Sequence, residues 1–237
     1  MQKVAMVIIT LALFFCLIPA SYAYETIPIR NGGSIEGIVE FVGATVPADP
    51  MLTLTSDTTY CGNSLPAKKY LIKDRKIENV AVYLVEVKSG KAIPAEPITL
   101  TNIKCAFAPH VAVGFKGGKI IQKNDDPIFH NIHTYINGKT AFNVGLPEKG
   151  SLVTKTLRRD GLMEVTCDSH PWMHGFVQIL DHPYGAVTNA KGEFAIKDIP
   201  AGTYTVEGWH EALGKVKEAN VKVESGKATK IKIEYKK

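Results

Sequence analysis

Four side chains with metal-binding chemistry lie in two short stretches of the sequence. Cys167, His170 and Met173 fall within seven residues, and His130 lies upstream of them. Two imidazoles, one thiolate and a weakly bound thioether form the ligand set of electron-transfer copper sites. Soft sulfur suits Cu(I) and imidazole suits both oxidation states, so such a site rearranges little when an electron moves. The sequence therefore predicts one copper ion of the type 1 (blue) class, with one-electron transfer as its chemistry.

The residues around this loop predict the strands that must position it. Residues 165–166 extend a strand up to Cys167, Pro171 turns the chain away, and residues 175–180 are typical of a new strand. The three downstream candidates would thus share one tight loop between two strands. We expect His130 at the end of a neighbouring strand, so that the site closes over a long separation in sequence.

The same two stretches resemble a known family. The loop that starts at Cys167 has the form Cys-x-x-His-Pro-Trp-Met-x-Gly and resembles the copper loop of amicyanin, a small cupredoxin. The stretch His-Asn-x-His that starts at His130 is similar to the other copper-binding segment of that family. The resemblance covers residues 98–180, about a third of the chain. It implies a copper site whose ligands are His130, Cys167, His170 and Met173.

The resemblance also implies roles for residues beside the ligands. Asn131 would tie the two copper-bearing loops together, and a plain turn residue is the alternative. Pro171 and Trp172 would form part of an apolar surface near His170 at which a redox protein docks. His174 departs from the family pattern, which usually has a basic residue such as Arg there. It would alter docking or add a second metal-binding group.

Each candidate ligand also has a plain structural interpretation. Cys167 could be a buried thiol or a disulfide partner, the two histidines could be hydrogen-bonded core residues, and Met173 could fill space in a core. His133 lies three residues beyond His130, so strand alternation turns its side chain to the opposite face. We therefore expect His133 near the surface or in contact with a ligand rather than with the metal.

Two other functions stay open at this stage. One is a carbohydrate- or surface-binding module with a secondary copper site, for which Trp209 and Tyr204 could stack on sugar. The other is copper storage or delivery, in which His133 and His174 would help transfer. The sequence contains no pattern of a catalytic triad, phosphate-binding loop or carboxylate pair, so we do not expect an enzyme.

Short alternating runs of apolar and polar residues, bounded by Gly, Pro, Asn and Asp, predict an all-β protein. We divide it into a sandwich portion at 33–93, the cupredoxin Greek-key sandwich at 96–181, and a second sandwich portion at 183–237. Each outer portion is small for an independent core. One sandwich assembled from both, with the cupredoxin inserted, would solve this. Residues 187–206 resemble the carboxypeptidase regulatory-like, or carbohydrate-binding-like, sandwich, a fold that does not by itself specify a function.

The first 23 residues predict an export signal. Lys3 supplies the positive start, residues 4–18 form an apolar run, and Ser21 and Ala23 are the small residues that a signal peptidase recognises. The run is shorter than the roughly 17–25 residues of a membrane-spanning helix. We expect a periplasmic or secreted protein without an integral membrane segment after processing; a retained anchor is the alternative. The charge of +5 comes from scattered lysines, so nucleic acid is not an expected partner.

Export would leave three cysteines, which are Cys61, Cys105 and Cys167. In an oxidising compartment, the two that copper does not take would most simply pair. We therefore predict a disulfide between Cys61 and Cys105 that fastens the inserted domain to its host. Its loop of about 45 residues would stabilise the fold by about 3–5 kcal/mol in the chain-entropy model. The alternative is two separately buried thiols.

Overall fold

The computed structural model describes residues 23–236, and within them the chain is almost entirely β-structure with one short helix. The predicted export signal, apart from Ala23, lies outside the described residues. In the described part of the chain, no helix has the length and apolar character that crossing a membrane requires.

The strands and the helix follow one another along the chain with these bounds: β1 (Glu25–Thr26), β2 (Gly33–Phe41), β3 (Met51–Thr53), α1 (Thr58–Cys61), β4 (Ser64–Pro66), β5 (Ile72–Lys73), β6 (Lys76–Ile77), β7 (Ala81–Val85), β8 (Ser89–Gly90), β9 (Ile98–Ile103), β10 (Ala106–Ala108), β11 (Val111–Phe115), β12 (Lys119–Asn124), β13 (His130–Ile136), β14 (Lys139–Leu146), β15 (Leu152–Thr156), β16 (Gly161–Thr166), β17 (His174–Leu180), β18 (Gly185–Val187), β19 (Glu193–Ile199), β20 (Gly202–His210), β21 (Gly214–Val223) and β22 (Ala228–Tyr235).

Residues 98–180 form a two-sheet unit, here called the central sandwich. One sheet has the strand order β10-β9-β12-β15 and the other has the order β11-β17-β16-β13-β14. Alternation along the strands supplies the core, as in β12, where Ile120, Gln122 and Asn124 are buried and the residues between them are not. The apolar core between the sheets includes Leu100, Ile120, Ile132, Leu146, Met163 and Val177.

A second unit, here called the flanking sandwich, combines strands from both ends of the chain. One of its sheets has the order β18-β7-β20-β21, and the other has the order β19-β2-β6-β5 with β22 also paired to β2. Strands β2, β5, β6 and β7 precede the central sandwich in sequence, whereas β18 to β22 follow it. The central sandwich is therefore inserted into the flanking one, the arrangement that the small size of the two outer portions suggested.

Tyr184 ties together the two points at which the chain leaves and re-enters the flanking sandwich. Its buried hydroxyl accepts a hydrogen bond from the Lys91 backbone amide at 2.8 Å and donates one to the Asp198 carbonyl at 3.1 Å. The ring lies so close to Gly90 that a Cβ there would fall 2.1 Å from the Tyr184 hydroxyl oxygen. Only glycine fits at that point, since any side chain would displace the tyrosine.

Replacing Tyr184 by Phe would leave the Lys91 amide and the Asp198 carbonyl without their partner. Both hydrogen bonds are partly buried, so we expect a loss of about 1 kcal/mol. For a domain of this size, Tm falls by about 2–4 °C per kcal/mol. Thermal unfolding followed by circular dichroism measures the change. Tyr204→Phe is the matched control because its hydroxyl makes one local bond, to the Pro200 carbonyl, and we expect a smaller loss. Equal losses in the two variants would contradict this role of Tyr184.

The two sandwiches share an apolar interface. Its buried members are Ala81, Tyr83, Val111, Leu180 and Trp209. The Trp209 ring lies with its centroid 5.1 Å from that of Phe176. The indole is thus enclosed between the sandwiches and is not exposed for stacking on a sugar.

Residues 51–66, here called the cap, leave the flanking sandwich and lie against the central one. Strands β3 and β4 pair in antiparallel fashion, with α1 between them. Leu54 is buried in the central core, and Leu52 and Leu65 pack against that core. The sequence assigned these residues to the flanking sandwich as part of 33–93, but the three leucines of the cap pack against the inserted domain instead.

A disulfide between Cys61 in the cap and Cys105 in the central sandwich holds this segment in place. The two Cα atoms are 5.6 Å apart, within the range that a disulfide requires. Of the two alternatives that the sequence left open for these cysteines, the structure has the bridge. Cys167 is a buried free thiol.

Candidate metal centre

The register between two neighbouring strands brings His130 to the loop that carries the other candidate ligands. Strands β13 and β16 are antiparallel, and His133 lies opposite Thr166, the last residue of β16. His130, the first residue of β13, therefore extends past the end of β16. It lies beside the 167–173 loop, which connects β16 to β17.

Three potential ligand atoms converge at this point. The Cys167 Sγ lies 3.9 Å from His130 Nδ1 and 3.5 Å from His170 Nδ1. Ligand atoms of all three side chains lie within 4.8 Å of one another, and the two imidazole centroids are 4.5 Å apart. Both histidines have no exposed surface, and Cys167 is 2% exposed. One sulfur and two nitrogens thus face a common point inside the protein.

These separations fit a small transition metal ion. Metal–sulfur and metal–imidazole bonds of about 2.3 and 2.0 Å, at angles of about 110–120°, place the two ligand atoms about 3.5–3.7 Å apart. The measured sulfur–nitrogen distances of 3.5 and 3.9 Å lie close to this range. Thiolate and imidazole are also the ligand types that copper and zinc accept. The site can therefore hold such an ion with little rearrangement of its side chains.

Carboxylates bind the remote nitrogen of each candidate histidine. His130 Nε2 donates to Asp126 Oδ2 at 3.0 Å, and His170 Nε2 donates to Asp57 Oδ2 at 2.8 Å. With the proton on Nε2, each ring presents the lone pair of Nδ1 to the site, as metal ligation requires. The two carboxylates thereby fix both the tautomer and the orientation of the rings.

Sequence reasoning missed both of these aspartates. Asp126 stands four residues before His130, and this short spacing is a signal that could have suggested it. Asp57 is 113 residues away from His170 in sequence, and no sequence pattern connects the two.

The buried polar groups of the site have altered proton affinities. Burial raises the pKa of the Cys167 thiol, and hydrogen bonds involving Asn131, Ser169 and His170 only partly offset the effect. Burial lowers the pKa of His130, and the neighbouring imidazole of His170 lowers it further. Without a metal, the thiol and the neutral imidazole are therefore the favoured forms. Binding a cation must displace the thiol proton.

Asp126 stays ionised although it is buried. Burial alone would raise the pKa of its carboxyl group, but hydrogen bonds from the backbone amides of Cys105 and Lys104 lower it below the ordinary value. The Tyr60 hydroxyl and His130 contribute in the same direction. Asp126 therefore remains a hydrogen-bond acceptor for His130 Nε2.

Asn131 joins the two loops of the site, which is the role that the resemblance implied. Its Oδ1 accepts a hydrogen bond from the Asp168 backbone amide at 2.8 Å and lies 3.3 Å from Cys167 Sγ. Its Nδ2 donates to the side chains of Asp168, at 2.7 Å, and Asn143, at 2.8 Å. One amide side chain thus holds the residue after His130 against the residue after Cys167.

Met173 and Trp172 both lie inside the protein. Met173 is 2% exposed, belongs to the same core cluster as Cys167, and donates its backbone amide to the His170 carbonyl at 2.9 Å. Trp172 is 8% exposed. Its Nε1–H donates at 3.1 Å to the carbonyl of Cys105, which is one of the two disulfide-bonded cysteines. The expectation that the Trp172 side chain forms an exposed docking surface is therefore corrected, because the cap covers that ring. Pro171 is exposed.

The two remaining histidines of these stretches lie outside the ligand cluster. His133 bonds the side chains of Asp168, at 3.0 Å, and Thr140, at 2.9 Å, and stacks on Tyr135. His174 is exposed and lies 3.6 Å from a Glu164 carboxylate oxygen. Neither belongs to the ligand group that His130, Cys167 and His170 form.

Replacing Asn131 by Ala would separate the two loops. The Asp168 amide would lose its acceptor at a partly buried position, and the loss of such a hydrogen bond costs about 1 kcal/mol. We expect a lower Tm and faster release of bound metal to a chelator. Asn143→Ala is the matched control, since Asn143 contacts Asn131 and Asp168 only through side chains. Metal release as slow in Asn131→Ala as in Asn143→Ala would contradict the joining role.

Comparison with known proteins finds matches to parts of the chain. The family model of polysaccharide lyase family 4, domain II, matches residues 174–231. The match starts at the first residue of β17, in the central sandwich, and extends through most of the C-terminal part of the flanking sandwich. The matched model thus describes a polysaccharide lyase domain, not the carboxypeptidase regulatory-like domain that the sequence motif resembles. No curated protein matches the chain.

Among solved structures, the neighbours include cupredoxins and a copper enzyme. A purple cupredoxin from Nitrosopumilus maritimus is 23% identical, with 35% of this chain and 98% of that chain covered and a TM-score of 0.31. Amicyanin from Paracoccus versutus is 18% identical, with coverages of 37% and 84% and a TM-score of 0.32. A copper-containing nitrite reductase from Thermus scotoductus is 21% identical over 40% of this chain, with a TM-score of 0.32. This chain spans only 25% of that reductase.

Proposed function

We propose that the protein is an exported one-electron carrier that holds one type 1 copper ion in the central sandwich. The observation that supports this proposal is the buried convergence of one cysteine sulfur and two histidine Nδ1 atoms, each histidine being fixed by a carboxylate. Two imidazoles and one thiolate are the strong ligands of a type 1 site, to which a weak axial ligand is added.

Each residue has a separate task in this proposal. His130 and His170 bind through Nδ1, and Cys167 binds as the thiolate and provides the main electronic path. Met173 would offer its thioether as an additional weak ligand, which would tune the reduction potential. Copper held by these residues would supply a one-electron Cu(II)/Cu(I) couple.

The burial of the ligands favours electron transfer over catalysis on a substrate. A substrate must touch a metal ion to react at it, whereas an electron can cross a short distance through protein. His130 and His170 are fully buried, and Cys167 is 2% exposed. We therefore propose that the protein is not an enzyme and that its partner is another redox protein.

Export is proposed from the cysteines together with the N-terminal sequence. A disulfide such as Cys61–Cys105 persists in oxidising compartments, which include the periplasm and the extracellular space. Residues 1–23 have the composition of a cleavable signal.

The structure offers less to the two alternative functions. Trp209, one of the two rings considered for stacking on sugar, is buried between the sandwiches. Copper delivery would draw on His133 and His174, and both rings are occupied by neighbouring polar groups. Sugar retention by the copper-free protein would favour the first alternative, and rapid loss of copper to an acceptor would favour the second.

Copper titration of the mature protein tests the proposal. We expect one copper per chain, an intense visible thiolate-to-Cu(II) band, and reversible reduction. Cys167→Ser should abolish the band and leave a folded β protein, because a hydroxyl oxygen does not replace the soft thiolate. His133→Ala is the matched control, since it removes an imidazole three residues from His130, and it should retain the band. A band that survives in Cys167→Ser would show that the site is wrongly assigned.

Met173→Leu tests the axial role separately. Leucine keeps the apolar bulk at this buried position and removes the thioether. We expect copper to remain bound with a shifted reduction potential, because the axial ligand is weak. Cyclic voltammetry and copper analysis measure the two quantities. Complete loss of copper would mean that Met173 is needed for retention and does more than tune the site.

A further inference from the structure

The cap covers the edge of the metal centre at which His170 lies. His170 has no exposed surface, and its Nε2, the nitrogen remote from Cys167, donates to Asp57 Oδ2 in the cap at 2.8 Å. Ser56 adds a second contact, from its hydroxyl to the Ser169 carbonyl at 3.1 Å. A protein partner cannot touch the imidazole edge of His170 without displacing the cap.

We propose that Asp57 is a positioning residue that holds His170 for metal binding and lowers the reduction potential of the centre. We further propose that the cap makes redox partners exchange electrons across it rather than at a bare histidine edge. The proposal rests on the proposed function, because it concerns the same copper site.

The local backbone directs Asp57 toward the site. Asp57 occupies the position before α1 and has a left-handed φ of 47°, a conformation that Asp tolerates better than most residues. Its carboxylate makes no capping hydrogen bond to the four-residue helix. The side chain is therefore free of the local role that Asp usually has at this position, and it binds His170 instead.

Covalent and polar contacts keep the cap in register with both histidines. Cys61 lies four residues after Asp57 and is bonded to Cys105, whose carbonyl accepts the Trp172 indole N–H. The Tyr60 hydroxyl donates to Asp126 Oδ1 at 2.9 Å, and Asp126 Oδ2 in turn binds His130. Both candidate ligand rings are thus connected to the same short segment.

The sign of the electrostatic effect follows from the charges. The oxidised centre carries one positive charge more than the reduced centre, so a nearby carboxylate stabilises the oxidised form more strongly. Asp57 is the only charged residue in the cap, and it contacts a ligand ring directly. Removing its charge should therefore favour reduction.

The test compares copper-loaded, full-length mature variants by voltammetry. Asp57→Asn keeps a hydrogen-bond acceptor and removes the charge, so we expect a higher potential with an unchanged visible band. Asp57→Ala also removes the acceptor, so we expect a higher potential together with a changed band and faster copper release to a chelator. The matched charge control is Asp160→Asn, which neutralises an exposed carboxylate. Asp160 precedes the first residue of β16, whereas Cys167 follows the last, so this change should leave the potential unchanged.

A second measurement tests whether the cap shields the metal centre. In the metal-free protein, we expect slow reaction of Cys167 with a thiol reagent, and a several-fold faster reaction in Asp57→Ala and in the double variant Cys61→Ser/Cys105→Ser. The double variant is used because Cys105 freed alone would lie beside Asp126 and His130, with which it forms a second potential ligand group.

The outcomes separate this inference from the proposed function. If the mature wild-type protein binds no copper, the proposed function fails and the inference fails with it. If it binds copper but Asp57→Asn and Asp160→Asn have the wild-type potential, the function stands and the role of Asp57 is refuted. Equal Cys167 reactivity in the wild type, in Asp57→Ala and in Cys61→Ser/Cys105→Ser would refute the proposal that the cap shields the site.

Discussion

Two hydrogen bonds to carboxylates hold the candidate centre in a form that can bind a metal. Each histidine places its proton on Nε2 and its lone pair on Nδ1 because Asp126 and Asp57 accept at the remote nitrogen. Loss of either bond would free the ring to rotate or to change tautomer, and the sulfur–nitrogen geometry would no longer be defined. The arrangement requires that three segments far apart in sequence meet within a few ångströms.

Each of these segments is held by a different kind of structure. The ladder between β13 and β16 positions His130 against the 167–173 loop, and backbone hydrogen bonds make that register rigid. The Asn131 side chain then joins β13 to the 167–173 loop by accepting a hydrogen bond from the Asp168 amide. The cap has only a short β3–β4 pairing and a four-residue helix, so its position depends on buried leucines and the disulfide. This difference explains why the only covalent cross-link in the described chain lies at the cap.

Insertion of one sandwich into another has a consequence for the site. The chain enters and leaves the flanking sandwich at neighbouring points tied by Tyr184, and the interface around Trp209 buries apolar surface between the two units. The candidate centre lies at the end of β16 that Cys167 follows. The cap reaches this end of the central sandwich. The cap, which leaves the flanking sandwich and packs against the central one, thus brings Asp57 into contact with His170.

Local sequence predicted the candidate ligands and the strands that carry them. The spacing of Cys167, His170 and Met173, the turn at Pro171, and the alternation of apolar residues are short-range features, and they predicted the loop, the all-β class and the candidate metal site. The insertion was also foreseen, because neither outer portion was large enough to form its own core.

Only the tertiary structure decided what surrounds the ligands. Asp57 is 113 residues from His170. The motif around Trp172 suggested a surface residue, but in the structure its ring is buried. The same limit explains why residues 51–66 were assigned to the wrong sandwich. Leu52, Leu54 and Leu65 are residues that favour burial, but the sequence does not show which unit they pack against. Such contacts depend on which surfaces meet after folding, and a pattern within one segment contains no information about the segment that will cover it.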